Sequence, residues 1–272
     1  MLAGLAHPLA LSKPIARTGS RAARVGAFAL ESWSRLKLDG QAKHASPHAR
    51  ARELSWLAEN LCALHGVRAV VRGTPPVGPA VLVANHLSYF DPVVLAAQLP
   101  LIAIAKRDVA HWPLVGDTCR RLGVSFVERG DGLSGARVLR EVMRALEQGV
   151  SVLVFPEGTT TRGEQVLPFK RGIFGAAQHV GVPIVPVALR YDREDAAWVG
   201  DETFLPHYVR SMAHACTRVS VEYLAPLPRD CGQSANGLAE LARRSIARAL
   251  TLAERPEAVA RVGAQRLFIA TA

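Results

Sequence analysis

Four short stretches of this chain are apolar almost without interruption: "AVLVA" from Ala80, "LIAIA" from Leu101, "VSVLVF" from Val150 and "VPIVPVAL" from Val182. A strand with one wet face alternates apolar and polar residues. A strand covered on both faces has no polar side to show. Between these runs the spacing turns helical. Val138, Val142, Ala145 and Leu146 form the apolar face of a helix expected over 133–148 and ended by Gly149. "GIFGAAQHVG" reads as a shorter helix. Buried strands alternating with helices predict an α/β fold: a mostly parallel sheet with helices on both faces. "VRAVVRG" and "GVSFVERG" read as further strands. "TRVSVEYL" alternates and is expected at the sheet edge, and "GLAELARRSIARALTLAER" reads as a C-terminal amphipathic helix.

The 272 residues suffice for one large domain, or for a domain with an extension, and 49% hydrophobic content excludes a disordered chain. Two parts are expected: an N-terminal basic helical segment over 1–66 and the α/β domain over 67–272. The net charge of +10 is uneven: residues 1–72 hold 11 of the 33 Lys and Arg but only 4 of the 23 Asp and Glu. Such an excess favours anionic partners. Ser20 to Lys37 can form a basic amphipathic helix suited to a membrane interface, or equally a tail or a helix packed on the main domain. "SPHARARELSWLAENLCALHG" predicts a second helix, with Leu54, Leu57, Leu61 and Leu64 at helical spacing and Gly66 as its stop.

The longest apolar run, Pro92 to Ala105, contains Gln98 and Pro100 and falls short of the roughly 20 residues a membrane-crossing helix needs. No early positive region leads into an uninterrupted apolar block, so a cleaved signal peptide is not expected. If membranes matter, the protein is expected to lie on them. Cys62, Cys119, Cys216 and Cys231 form no CxxC pair, which argues against a zinc ribbon or a disulfide framework and suits a reducing compartment.

In an open α/β sheet, ligands collect where strands end and helices begin. Three polar clusters sit at such junctions. In "NHLSYFD", His86 leaves a buried strand and Asp91 is expected to cap the next helix, with Pro92 at its first position. On one continuous helix a five-residue step would point the two side chains apart. A strand, loop and cap let the carboxylate fold back onto the imidazole and orient it as a general base. The plainer alternative is a simple cap and a hydrogen-bonded loop histidine. In "VLVFPEGTTTRG", Gly158 permits close backbone approach, the hydroxyls and N–H groups can hold an oxyanion or a polyol, and Glu157 can accept hydrogen bonds from hydroxyls; a solvated polar turn is the alternative. The third cluster is cationic. Lys170 and Arg171 precede a helix N-terminus whose dipole they oppose, a conflict that a bound anion relieves. Arg129 and Lys106 also stand at strand ends, and each of these cations alone is an ordinary surface charge.

Together the clusters resemble the glycerolipid acyltransferase family of bacterial lysophosphatidate acyltransferases. "NHLSYFD" is similar to its His-x4-Asp motif and "KRDVAHWPLVGDTCRRLGVSFVERG" to its second block. "FPEGTTTRG…PFKRG" and "VPIVPVAL" resemble the third and fourth. The resemblance covers about residues 65–190. It implies acyl transfer from a thioester to a lipid hydroxyl in phospholipid biosynthesis, most simply 1-acylglycerol-3-phosphate to phosphatidate. His86 would be the base and Asp91 its orienting partner, with no metal and no bound cofactor. The acyl donor would be a thioester of acyl carrier protein or coenzyme A.

Glu157, Gly158, Thr159 and Arg129 would bind the glycerol-phosphate part. One departure stands out: family members often carry Arg directly after Glu-Gly-Thr, whereas here Thr160 and Thr161 precede Arg162. Either Arg162 reaches the same anion from farther along the loop, or Arg129, Lys106 and Arg171 suffice. The departure also leaves room for another acceptor, such as lyso-ornithine lipid. A lipid acceptor implies a peripheral protein on the cytoplasmic side of the inner membrane, held to an anionic surface by the basic N-terminal segment.

Other classes fit less well. The basic segment has no RNP-like motif, zinc-finger spacing or interleaved aromatics, so no nucleic-acid partner is expected. "GVSVL" at Gly149 lacks the final glycine of a hydrolase nucleophile elbow and runs into a strand. A non-catalytic lipid-surface protein on the same scaffold remains the competing reading.

Overall fold

The computed structural model describes residues 8–38, 45–128, 131–200, 202–228 and 232–253. Arg129 lies outside the described residues. Two helices open the chain, α1 (Pro8–Leu38) and α2 (Pro47–His65). The Ser46 hydroxyl accepts from the Ala49 N–H at the start of α2, Pro47 occupies its first turn, and Gly66 ends it in the left-handed conformation. There follow β1 (Val67–Arg72), β2 (Val81–Ala84), α3 (Asp91–Ala96), β3 (Leu101–Lys106), α4 (Val115–Arg121), β4 (Ser125–Val127), α5 (Gly132–Glu147) and β5 (Ser151–Val154). The chain continues through α6 (Gly172–Val180), β6 (Ile184–Tyr191), α7 (Phe204–Ala213), β7 (Thr217–Tyr223) and α8 (Ala235–Ala253).

The seven strands form one sheet in the order β1-β7-β6-β2-β5-β3-β4. β2 sits near its centre, parallel to β5 and to β6, with Val81 opposite Val152 on one side and Ile184 on the other. β3 pairs parallel with β5 and β4, so five strands share one direction; β7 pairs antiparallel with β6 and parallel with β1. The sheet is mostly parallel, as the unbroken apolar runs predict. Their cause is visible at β2. Val81 and Val83 pack with Val138, Val142, Phe174 and Ala177 of α5 and α6 and with Ala242 of α8. Leu82 and Ala84 pack with Ala58, Val94 and Leu95 of α2 and α3. All four β2 residues are 0% exposed. Burying one such Val or Leu side chain contributes about 1.5–3 kcal/mol, so a polar residue anywhere in β2 would forfeit a core contact.

Two expectations need correction. β7 is not the edge: it lies between β6 and β1, and β1 takes the edge. Alternation in β7 reports one covered face, with Thr217, Val219, Val221 and Tyr223 buried, whereas edge position depends on unpaired backbone. The other concerns the start of α3, where Phe90 and not Asp91 holds the cap position.

α1 packs against α2, α4 and α7. Arg17 donates to the Ala213 carbonyl (2.8 Å), and Arg21 donates to the carbonyls of Met212 (3.0 Å), His214 and Ala215 (2.8 Å). Cationic side chains on the last carbonyls of a helix satisfy acceptors that the helix leaves open and oppose its negative end. Two of the basic residues expected to face a membrane therefore hold α7. On its outer side α1 exposes Ile15, Leu30 and Leu38. No described helix is long and apolar enough to cross a membrane.

Candidate active site

β2 ends at Ala84, and beyond it Asn85, His86 and Asp91 each take a different task. Asn85, 3% exposed, faces β6. Its amide donates to the Leu189 carbonyl (3.0 Å) and accepts from the Leu189 N–H (2.8 Å). The side chain thus adds one more rung between β2 and β6 just where the backbone turns away. Sequence reasoning assigned Asn85 no role; an asparagine directly after a buried strand was the available signal.

His86 is next, and its backbone is held on both sides by the loop after β5. Its N–H donates to Glu157 Oε1 (2.8 Å), and its carbonyl accepts from the Thr161 N–H (2.8 Å). The ring stacks on Phe155, with centroids 4.0 Å apart. Nδ1 meets Asp91 Oδ2 at 2.8 Å. The imidazole is 15% exposed and the carboxylate 0%.

Asp91 does not cap α3. Phe90 occupies the cap position in helical conformation without a side-chain cap bond, and Asp91 is the first helical residue. Its carboxylate turns back over the loop instead. Oδ2 accepts from the N–H groups of Leu87 (2.6 Å) and Ser88 (2.9 Å) as well as from His86, and Oδ1 accepts from the Tyr191 hydroxyl (2.8 Å). The physical reason is competition for acceptors: the tight 86–90 loop presents donors that the first turn of a six-residue helix cannot match. Tyr191 stands at the end of β6. Burial first, then the neighbouring Asp91 charge, lift its phenol well above the ordinary range, so it stays a donor. With Nδ1–H committed to Asp91, the tautomer leaves the Nε2 lone pair as the basic position.

Glu157 is 7% exposed, and both of its oxygens are engaged: Oε1 with the His86 N–H, Oε2 with the Leu167 N–H (3.0 Å). Burial pushes its carboxyl above the usual carboxylate range, opposed by these two N–H donors. Gly158 follows with φ +74°, and a Cβ there would lie 2.8 Å from Lys170 Nζ. The positive φ is what favours glycine here, since the lysine tip could swing aside. Lys170, from the "PFKRG" stretch, therefore brings its ammonium onto the Glu157–Gly158 turn.

The structure brings together His86, Asp91, Glu157 and Gly158 from the ends of β2 and β5, with Thr159 exposed on the same loop. It does not join every expected cation to them. Lys106 pairs with Asp108. Arg162 is exposed, and its charge reaches Glu202. Arg171 is exposed at the start of α6. Among the described residues, no hydrogen bond or ion pair ties these three to the His86–Asp91 pair. Nor do any three His, Cys, Asp or Glu side chains among those residues stand together to hold a metal ion.

A buried carboxylate orienting a histidine at the carboxyl ends of parallel strands is an arrangement that can accept a proton from a hydroxyl brought to it. The sequence model of the acyltransferase family matches residues 66–190, the segment that carries this site. A lyso-ornithine lipid O-acyltransferase from Pseudomonas aeruginosa is 34% identical over 203 residues, 72% of this chain and 76% of that protein. A 1-acyl-sn-glycerol-3-phosphate acyltransferase from Neisseria meningitidis is 31% identical over 164 residues, 60% of this chain and 63% of that protein. The crystal structure of the 1-acyl-sn-glycerophosphate acyltransferase PlsC from Thermotoga maritima shares the fold, with a TM-score of 0.64 at 23% identity, covering 90% of this chain and 96% of that one. The chain belongs to the acyltransferase family, and it is an enzyme of that class.

Proposed function

We propose that the protein moves a fatty acyl group from a thioester to the free hydroxyl of a membrane lysolipid, with 1-acylglycerol-3-phosphate as acceptor and phosphatidate as product. The observation that carries this reading is the 2.8 Å contact between His86 Nδ1 and Asp91 Oδ2. In the proposed reaction His86 Nε2 takes the proton of the acceptor hydroxyl. The freed oxygen attacks the thioester carbonyl and forms the new ester bond as the carbon–sulfur bond breaks. The departing thiolate recovers the proton from His86. Asp91 holds the ring and stabilises its charged form, a general-base role worth about 10²–10⁴-fold. Acyl carrier protein or coenzyme A would carry the thioester. Lys170, lying on Gly158, supports an anionic acceptor at the Glu157 loop.

A second acceptor is favoured by a specific observation. The relative matched over 76% of its length is named a lyso-ornithine lipid O-acyltransferase, as is one from Rhizobium meliloti, 32% identical over 182 residues. The two residues separating Arg162 from Thr159, and the exposure of Arg162, fit an acceptor without the usual phosphate clamp. For the cellular site we propose the cytoplasmic leaflet of the inner membrane. The basic N-terminal quarter and the exposed Ile15, Leu30 and Leu38 of α1 support peripheral attachment.

Purified protein incubated with lysophosphatidate and lyso-ornithine lipid, each with acyl carrier protein and coenzyme A thioesters, tests the reading. Lysophosphatidate acylation is expected, and His86→Ala should lower it by about 10²-fold or more while the protein stays folded. Acylation of lyso-ornithine lipid alone selects the second acceptor. Full activity in His86→Ala refutes the chemistry.

A further inference from the structure

The amino-terminal helices meet α4 in a cleft lined by Arg35 and Leu36 of α1, Ala49, Arg50 and Glu53 of α2, and Arg121 of α4. Three guanidinium groups and one carboxylate converge there, and the pairing is uneven. Arg35 pairs with Glu53. Arg121 Nε pairs with Asp117 Oδ2 at 3.0 Å, and Nη1 donates to the Leu36 carbonyl at 3.4 Å. Arg50 runs over Gly123, its Nε 3.7 Å from where a Cβ would stand, and Nε is buried with no hydrogen-bond partner. Among the described residues Arg50 makes no side-chain hydrogen bond or ion pair. No acceptor among the described residues takes up this guanidinium, and its terminal nitrogens, unlike Nε, are not buried, so they are open to an acceptor from outside.

We propose that this cleft is an oxyanion seat: Arg50, flanked by Arg35 and Arg121, takes a phosphate group. The guanidinium fork matches the paired oxygens of a phosphate, and with Arg35 paired to Glu53 in the cleft and Arg121 to Asp117 outside it, Arg50 leaves one positive charge to be neutralised. The surroundings favour a lipid source. Arg35 lies 4.5 Å over the Trp56 ring and Lys37 4.5 Å over the Trp33 ring, with exposed Leu38 next along α1. Tryptophan, lysine and an exposed aliphatic residue around a cationic cleft is the composition of a bilayer interface. The ligand class is therefore a phosphate group, presented by an anionic lipid headgroup or free in solution. The seat does not depend on the acyl-transfer reading, and none of its residues is part of the His86 site.

The test uses the full chain with two probes. Inorganic phosphate is titrated calorimetrically, and the protein is sedimented with phosphatidylcholine vesicles with and without phosphatidylglycerol. Arg50→Gln and Arg50→Lys are compared, and acyl transfer in detergent micelles serves as the check that each variant is folded. Arg50→Gln should weaken anion binding about tenfold or more, the loss of charged hydrogen bonds, with Arg50→Lys in between. A parallel drop in binding to phosphatidylglycerol vesicles assigns the seat to a lipid headgroup. A drop confined to inorganic phosphate assigns it to a soluble phosphate. If Arg50→Gln unfolds, Ala49→Glu keeps Arg50 and places a carboxylate in the cleft, and it should weaken the same binding. Phosphate and vesicle binding unchanged in all folded variants, or absent from the parent, overturns the proposal.

Discussion

Glu157 distinguishes two ways in which a motif residue can act. The family resemblance implies contact with the acceptor, whereas the geometry makes Glu157 a strut. One oxygen holds the His86 N–H at 2.8 Å and the other the Leu167 N–H at 3.0 Å, tying the end of β2 to both ends of the long loop after β5. Glutamine in its place offers one oxygen and one NH2 group, so it keeps one of these bonds and sets two donors against each other at the other. An unsatisfied buried donor costs about 1–3 kcal/mol. Removing a carboxylate whose burial already raises its pKa returns part of that cost, so the net expectation for Glu157→Gln is about 1–2 kcal/mol. Glu157→Ala leaves both N–H groups open and should cost about 2–5 kcal/mol. Urea unfolding without substrate reads the stability, and steady-state kinetics read the consequence for His86. A strut predicts lower stability in the absence of any lipid, together with a fall in kcat as the imidazole loses its backbone anchor. If Glu157→Gln unfolds within about 0.5 kcal/mol of the parent, the range of ordinary surface changes, and only KM rises, the strut is refuted.

Tyr191→Phe removes the hydroxyl on Asp91 Oδ1 and keeps the ring. A hydrogen bond to a buried charged group is worth about 1.5–3 kcal/mol, so the variant should lose that much in urea unfolding and about tenfold in kcat with KM unchanged. Unaltered kcat would show that the backbone donors of Leu87 and Ser88 hold Asp91 alone. A pH effect follows from the histidines behind α7. Burial lowers the pKa of His65 and His207 below the ordinary value, and both rings are engaged, His65 with Leu61 O and Tyr208, His207 with Tyr89 and Ala197 O. The unfolded chain then binds more protons than the folded one below about pH 6.5. Their contribution to stability is present above that pH and is lost as the pH falls toward the depressed folded values. Urea midpoints should drop between pH 7.5 and 5.5, and His207→Asn should flatten the drop. An identical slope in the variant would refute the assignment to His207.

What the sequence made legible follows from how local each cause is. The buried strands read correctly because their burial on both faces fixes residue type at every position, as at Val81–Ala84. α2 and α5 read to within a residue or two because their stops, Gly66 and the Gln148–Gly149 turn, are local. Seven-residue α4 and Pro-containing α7 were not found. Neither carries an apolar period long enough to stand out, and tertiary contacts hold them: Trp33 on Asp117, and Arg17 and Arg21 on the end of α7.

The site divides along the same line. That His86 and Asp91 can meet was readable, because the loop between them is short. The manner of their meeting was not, since it depends on Tyr191, a hundred residues later, and on Glu157 gripping the His86 backbone. The cations illustrate the limit most clearly. Lys106, Arg162, Lys170 and Arg171 look alike in the sequence, four basic residues in or beside the loops that join strands to helices. Of these, Lys170 is the one laid against the Glu157 loop, its N–H on the Pro156 carbonyl (3.0 Å) and its ammonium over Gly158. A charge joins a site through the backbone path that carries it there, and that path is decided by residues far from it in the chain.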